Sequence, residues 1–118
     1  MTWFRVDDSF ADHPKVKAIP RAHRLRVTGL WLACGTWSAR HLTDGFVPSE
    51  VPADHGAKPA DVNMLVNARV HPGGAGLWEP CEGGWLFHDW ADYQPTRKAV
   101  QEKRAASAER VRKWREKQ

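Results

Sequence analysis

The sequence predicts a mostly helical α+β fold, one body with a β-hairpin near its end and a separate basic helix after it. Three observations predict it. Apolar residues recur at three- and four-residue spacing across Arg24–Leu42, the signature of a helix with one buried face. Two β-prone runs flank Glu82-Gly83-Gly84, whose glycines supply the positive φ angles of a tight turn. Charge is split along the chain: Met1–Pro95 holds nine Lys/Arg against eleven Asp/Glu, whereas Thr96–Gln118 holds nine against three. A chain of 118 residues suits one compact domain. The expected division is therefore a domain over 1–95 and a basic helix or tail over 96–118.

The elements follow in order. Trp3-Phe4-Arg5-Val6 reads as a short strand closed by Asp7-Asp8-Ser9. Pro14 opens a short helix through Ile19, and Pro20 ends it. In the long helix, Val27, Leu30, Trp31, Cys34, Trp37, Ser38 and His41 form the apolar face, and Gly29 and Gly35 mark expected close backbone contacts. Thr43-Asp44-Gly45 turns the chain into an extended Phe46-Val47-Pro48. Ser49 is positioned to cap a short helix over Glu50–His55. A further helix starts near Lys58-Pro59, with Asp61 suited to its N-terminus. Its buried stripe is Val62, Leu65, Val66 and Val70, and Lys58, Asn63, Asn67 and Arg69 face solvent. The hairpin strands are Leu77–Cys81 and Trp85–Trp90, with Pro80 favouring an edge position. Thr96 caps a helix to the C-terminus. Two short helices around a glycine turn, followed at once by a hairpin, describe a winged helix-turn-helix.

Several segments also resemble a known group: Trp3-Phe4-Arg5-Val6-Asp7-Asp8, His13-Pro14-Lys15-Val16, Gly29-Leu30-Trp31, Gly35-Thr36-Trp37-Ser38-Ala39 and Leu42–Pro48. The run Glu82–Trp90 and Tyr93-Gln94-Pro95-Thr96-Arg97 belong to the same likeness. Over roughly Trp3–Arg97 the chain resembles small actinobacterial phage and prophage proteins. These are similar to the N-terminal winged-helix domains of phage replication-initiation proteins, the replisome organisers or DnaD-like proteins. The resemblance implies a DNA-binding domain that marks an origin or recruits primosome parts. Its recognition helix would be Lys58–Arg69 and its wing Leu77–Trp90. Longer members continue into a second domain, whereas this sequence stops at Gln118.

The tail itself points to an anionic partner, because phosphate binding needs cations and little else. The candidate DNA contacts are Lys58, Asn63, Asn67 and Arg69 on the recognition helix and Arg97, Lys98, Lys103, Arg104, Arg110, Arg112, Lys113 and Arg115 on the tail. Asparagine can pair in two places with adenine in the major groove. Duplex DNA is expected ahead of single strands, with replication proteins or a second copy as further candidate partners. Val100, Ser107, Val111 and Trp114 give the tail a thin apolar stripe for such pairing. The competing readings are a module that binds a helicase loader or host factor, and a phage transcriptional regulator.

Other classes find little support. The longest apolar run, Leu30–Cys34, is far too short to cross a membrane, and the opening residues do not form a secretion signal, so a cytoplasmic protein is expected. Cys34 and Cys81 lack the close-pair spacing of a structural zinc site. No nucleophile elbow, phosphate-binding glycine loop or His-Glu-x-x-His run is present. His88-Asp89 in a strand would point to opposite faces. No enzyme activity and no cofactor are expected.

Overall fold

The computed structural model describes residues 2–118. The long helix, α2 (Arg24–His41), follows the short helix α1 (Pro14–Lys17) and a 3₁₀ turn over Arg21–His23. It buries Val27, Leu30, Cys34, Gly35, Ser38 and Ala39 along one side, as the apolar spacing predicts. Leu42 ends it in the left-handed region, at φ 55. The Ser38 hydroxyl then organises the turn, contacting the Thr43 hydroxyl at 2.6 Å and accepting the Gly45 N–H at 2.9 Å. That turn delivers β1 (Phe46–Pro48).

Two helices separated by a glycine turn come next, α3 (Val51–Asp54) and α4 (Pro59–Val66), then the hairpin strands β2 (Trp78–Cys81) and β3 (Gly84–Phe87). β1 joins the hairpin to make a three-stranded antiparallel sheet of order β1-β3-β2. Phe46 lies opposite Leu86, and Trp78 opposite Phe87. Pro80 therefore sits on an edge strand, where its missing N–H leaves no ladder bond unmade. A single core runs between α2, α4 and the sheet, filled by Val27, Leu30, Val47, Leu65, Trp78 and Phe87. One turn of helix, α5 (Trp90–Tyr93), leads into α6 (Arg97–Glu116), which the Thr96 side chain caps by accepting the Ala99 N–H.

Several expectations fail, each for a physical reason. Trp3–Val6 is not a strand. Its backbone pairs with a side chain instead: the Arg5 N–H donates to Gln94 Oε1 at 2.8 Å, and Gln94 Nε2 donates to the Arg5 carbonyl at 2.6 Å. Gly29 has open space where a Cβ would point, whereas a Cβ on Gly35 would sit 2.2 Å from the Phe4 ring. Only the second glycine is therefore required by a neighbour. Ser49 does not cap α3, which starts from Glu50 without a side-chain bond. α4 ends at Val66, so Asn67 and Arg69 lie beyond it and Val70 is exposed. β3 ends at Phe87, and His88-Asp89 form a turn that Asp89 takes with φ 58.

α6 stands apart from the body. A chain of this length in one compact globule has a radius of gyration of about 13 Å, and here it is 17.2 Å with a long dimension of 60 Å. A 20-residue helix is about 30 Å long, which accounts for the excess. Val100 is its only buried residue; Ser107 is half-buried and everything after it is exposed. No helix among the described residues is long and apolar enough to cross a membrane.

Candidate nucleic-acid interface

The expected recognition helix begins with a reciprocal cap. The Asp61 N–H donates to the Lys58 carbonyl at 2.9 Å, and the Lys58 N–H donates to the Asp61 carboxylate at 2.8 Å. Asp61 is only 2% exposed. Its other oxygen accepts from the Arg26 guanidinium, through Nε at 3.1 Å and through a shorter bond from Nη2. That guanidinium, foremost, and then the Lys58 N–H hold the Asp61 carboxyl below its ordinary value. The pair thus ties the start of α4 to α2. Arg26 has no local sequence signal for this role, since it lies 35 residues away.

The outward side of α4 carries Lys58 and Asn63, both exposed, with Asn67 at its C-cap on the same side. Asn63 and Asn67 are brought together as predicted. Arg69, also exposed, lies beside Asn67 but beyond the end of the helix. Its guanidinium turns back to the loop, donating to the Pro72 carbonyl at 3.2 Å and lying 3.4 Å from Asn67 Oδ1. The hairpin has no lysine or arginine between Leu77 and Trp90, and its exposed tip begins with Glu82. At its base His88 lies between two carboxylates, with Nδ1 2.7 Å from Glu79 and Nε2 2.9 Å from Asp89. The sequence places those side chains on opposite faces, but the turn at Asp89 brings them together. From Lys58 to Trp90 the chain holds two Lys/Arg, Lys58 and Arg69, against four Asp/Glu, so α4 and the hairpin together offer no net positive surface.

Positive charge collects on α6 instead. The Asp44 carboxylate accepts the Arg97 N–H at 2.6 Å, fixing the first turn against the body. On the helix, Glu102, Glu109 and Glu116 recur every seven residues and so lie on one side. Arg112 is held between two of them, at 2.5 Å from Glu109 and 2.6 Å from Glu116, and Lys113 lies 4.0 Å from Glu109. Lys98, Lys103, Arg104, Arg110 and Arg115 make no ion pair among the described residues and are exposed. Lys103, Arg104, Arg110 and Arg115 flank the Val100–Ser107–Val111–Trp114 stripe, on the side away from the glutamates.

Sequence reasoning missed Trp3 and Arg5, which stand beside the first half of α6 with Trp3 74% exposed. Their proximity depends on Gln94, and nothing in the local pattern announces it. Trp31, Trp37, Trp78, Trp85 and Trp90 are all part of the core or packed on it, as expected. Cys34 is buried, which pushes its thiol up to about 12. Comparison with family models, with curated proteins and with solved structures finds no match to this chain.

Proposed function

We propose that this chain is a winged-helix DNA-binding protein of phage or prophage origin that acts in replication initiation, with α6 as its affinity element. One observation carries the reading: a helix that projects from the body with almost no packing of its own and with six cations, Arg97, Lys98, Lys103, Arg104, Arg110 and Arg115, that make no ion pair among the described residues. The order α2-β1-α3-α4-β2-β3 with sheet order β1-β3-β2 supports the winged-helix assignment. The likeness of Trp3–Arg97 to replication-initiation domains supports the biological role. In this arrangement α4 enters the major groove with Asn63 and Asn67 toward base edges, and α6 neutralises phosphates without reading sequence. The hairpin carries no lysine or arginine, so its tip near Glu82–Trp85 adds no counterion release.

A second reading has its own support. Val111 and Trp114 are 47% and 63% exposed on α6, an apolar strip of the kind that seats a protein partner such as a helicase loader.

Salt-dependent binding separates the two. Titrating labelled duplex DNA between about 50 and 200 mM salt, the full chain should show a steep loss of affinity. Replacing Lys98, Arg110, Arg115 and Lys117 by Gln should lower the slope of log affinity against log salt by about 3–4. Absence of duplex and single-strand binding by the full chain at low salt would overturn the DNA reading and favour the protein partner.

A further inference from the structure

The N-terminal segment and the first half of α6 form the two walls of a groove of about 440 Å³. Trp3 and Arg5 line one wall, Lys103 and Arg104 the other, with Pro95 and Val100 between them. The volume falls within the roughly 300–1,000 Å³ of ordinary ligand sites. We propose that this groove binds single-stranded DNA, with one unstacked base lying on the Trp3 indole and adjacent phosphates held by Arg5, Lys103 and Arg104. This rests on the DNA-binding reading and deepens it, adding a single-strand site that shares Lys103 and Arg104 with α6 and has Trp3 and Arg5 as its own.

Three features converge on that occupant. Charge has one sign: the groove is lined by three cations and no carboxylate. Lys103 makes no ion pair among the described residues, and the Arg104 guanidinium has only a 3.4 Å contact to the Thr2 hydroxyl. Second, Trp3 presents a large flat apolar surface beside those cations while the other body tryptophans are in or against the core. A cationic track beside an aromatic face is what sequence-tolerant single-strand binding needs, because every base has a π-face and every nucleotide a phosphate. In a duplex the bases are already stacked on one another, so the indole would have no partner. Third, the wall is held in place before any ligand arrives. Buried Gln94 grips the Arg5 backbone through both its N–H and its carbonyl, and Phe4 inserts over Gly35 against Trp31 and Trp90. Trp3 and Arg5 thus flank a fixed residue, and ordering costs little when DNA binds.

Fluorescence anisotropy of the full chain with a labelled oligothymidylate and, separately, a labelled duplex provides the test. Trp3→Ala should weaken oligothymidylate binding by about tenfold, within the range of lost base stacking, and leave duplex binding unchanged. Trp3→Phe should restore most of the loss. The double variant Lys103→Gln, Arg104→Gln should lower the single-strand salt slope by about 1.4. Ultraviolet cross-linking should place the thymidine adduct on Trp3. Duplex binding without oligothymidylate binding would overturn the groove and leave the duplex reading standing. Failure to bind either DNA would remove both. Equal loss of both ligands in Trp3→Ala, or competition by polyglutamate as strong as by unlabelled oligothymidylate, would reduce the groove to a general anion surface and overturn the stacking proposal.

Discussion

Replacing Asp61 tests how α4 is held in place. Asp61→Ala removes two interactions at once. The carboxylate that accepts the Lys58 N–H acts as an N-terminal cap, and losing such a cap costs about 1 kcal/mol. The bond from Arg26 is charge-assisted, but the Arg26 side chain is 57% exposed, so its loss belongs at the low end of that class, about 1 kcal/mol. The total of about 2 kcal/mol corresponds to a fall in Tm of about 8 °C for a domain of this size. Asp61→Asn keeps an acceptor for the Lys58 N–H and gives up the charge, so it should lose about half as much. The pH dependence has a fixed sign. An aspartate in the unfolded chain titrates near 3.9, and the folded Asp61 carboxyl lies lower. Its contribution is complete above that unfolded value and vanishes as pH falls through the folded one. Melting curves of wild type and Asp61→Asn should therefore separate at pH 7 and converge in strong acid. A melting temperature for Asp61→Ala within a degree of wild type would refute the reasoning, as would a gap to Asp61→Asn that is unchanged by acidification.

Other outcomes follow from single positions. Gly29→Ala has free space and gains helix propensity, so it should stabilise by about 0.5–1 kcal/mol, whereas Gly35→Ala meets the Phe4 ring and should destabilise by about 1–3 kcal/mol; opposite signs in chemical denaturation are the check. Of the two free thiols, half-buried Cys81 should react with a disulfide reagent in the native protein at neutral pH, and buried Cys34, raised to about 12, only after unfolding. Hydrogen exchange should leave α6 amides beyond Ser107 nearly unprotected while those of α2 persist. Uniform protection along α6 would refute its weak anchoring beyond Ser107.

What the sequence reveals of this fold depends on the range over which each element is decided. α2, the turn of the hairpin and α6 are set by spacing and turn residues within the segment itself and stand where periodicity and Gly83 put them, although β3 ends at Phe87 rather than Trp90. The N-terminal segment is decided by a residue 89 positions away. Trp-Phe-Arg-Val favours extended backbone, but whether it pairs as a strand depends on a sheet edge, and Gln94 supplies the hydrogen bonds instead. The end of α4 is a similar case: Val70 extends the apolar spacing, yet the helix closes at Val66 and the returning chain packs against that end, with the Leu77 N–H donating to the Leu65 carbonyl at 3.1 Å. A Cβ on Gly76 would lie 2.1 Å from the Val66 carbonyl oxygen. At the candidate interface the residue types are legible and their partners are not. Arg112 reads as a free cation until the glutamates one turn to either side are placed against it.

The distribution of free charge separates affinity from sequence preference in a way that can be measured. On and beside α4, Arg26 is engaged with Asp61 and Arg69 with the Pro72 carbonyl and Asn67, leaving Lys58 as the cation without a side-chain partner among the described residues and Asn63 and Asn67 as neutral groups. On α6, unpaired Lys and Arg face solvent on a helix too weakly anchored to read base edges in a fixed register. On the proposed DNA-binding reading, counterion release would belong almost wholly to α6, and discrimination between sequences to α4. Asn63→Ala should cost about 1–3 kcal/mol on an adenine-bearing preferred site and leave the salt slope unchanged. Gln substitution of the free α6 cations should flatten the slope equally on preferred and random duplexes. A single variant that moved both quantities together would mean that α4 and α6 contact DNA as one surface.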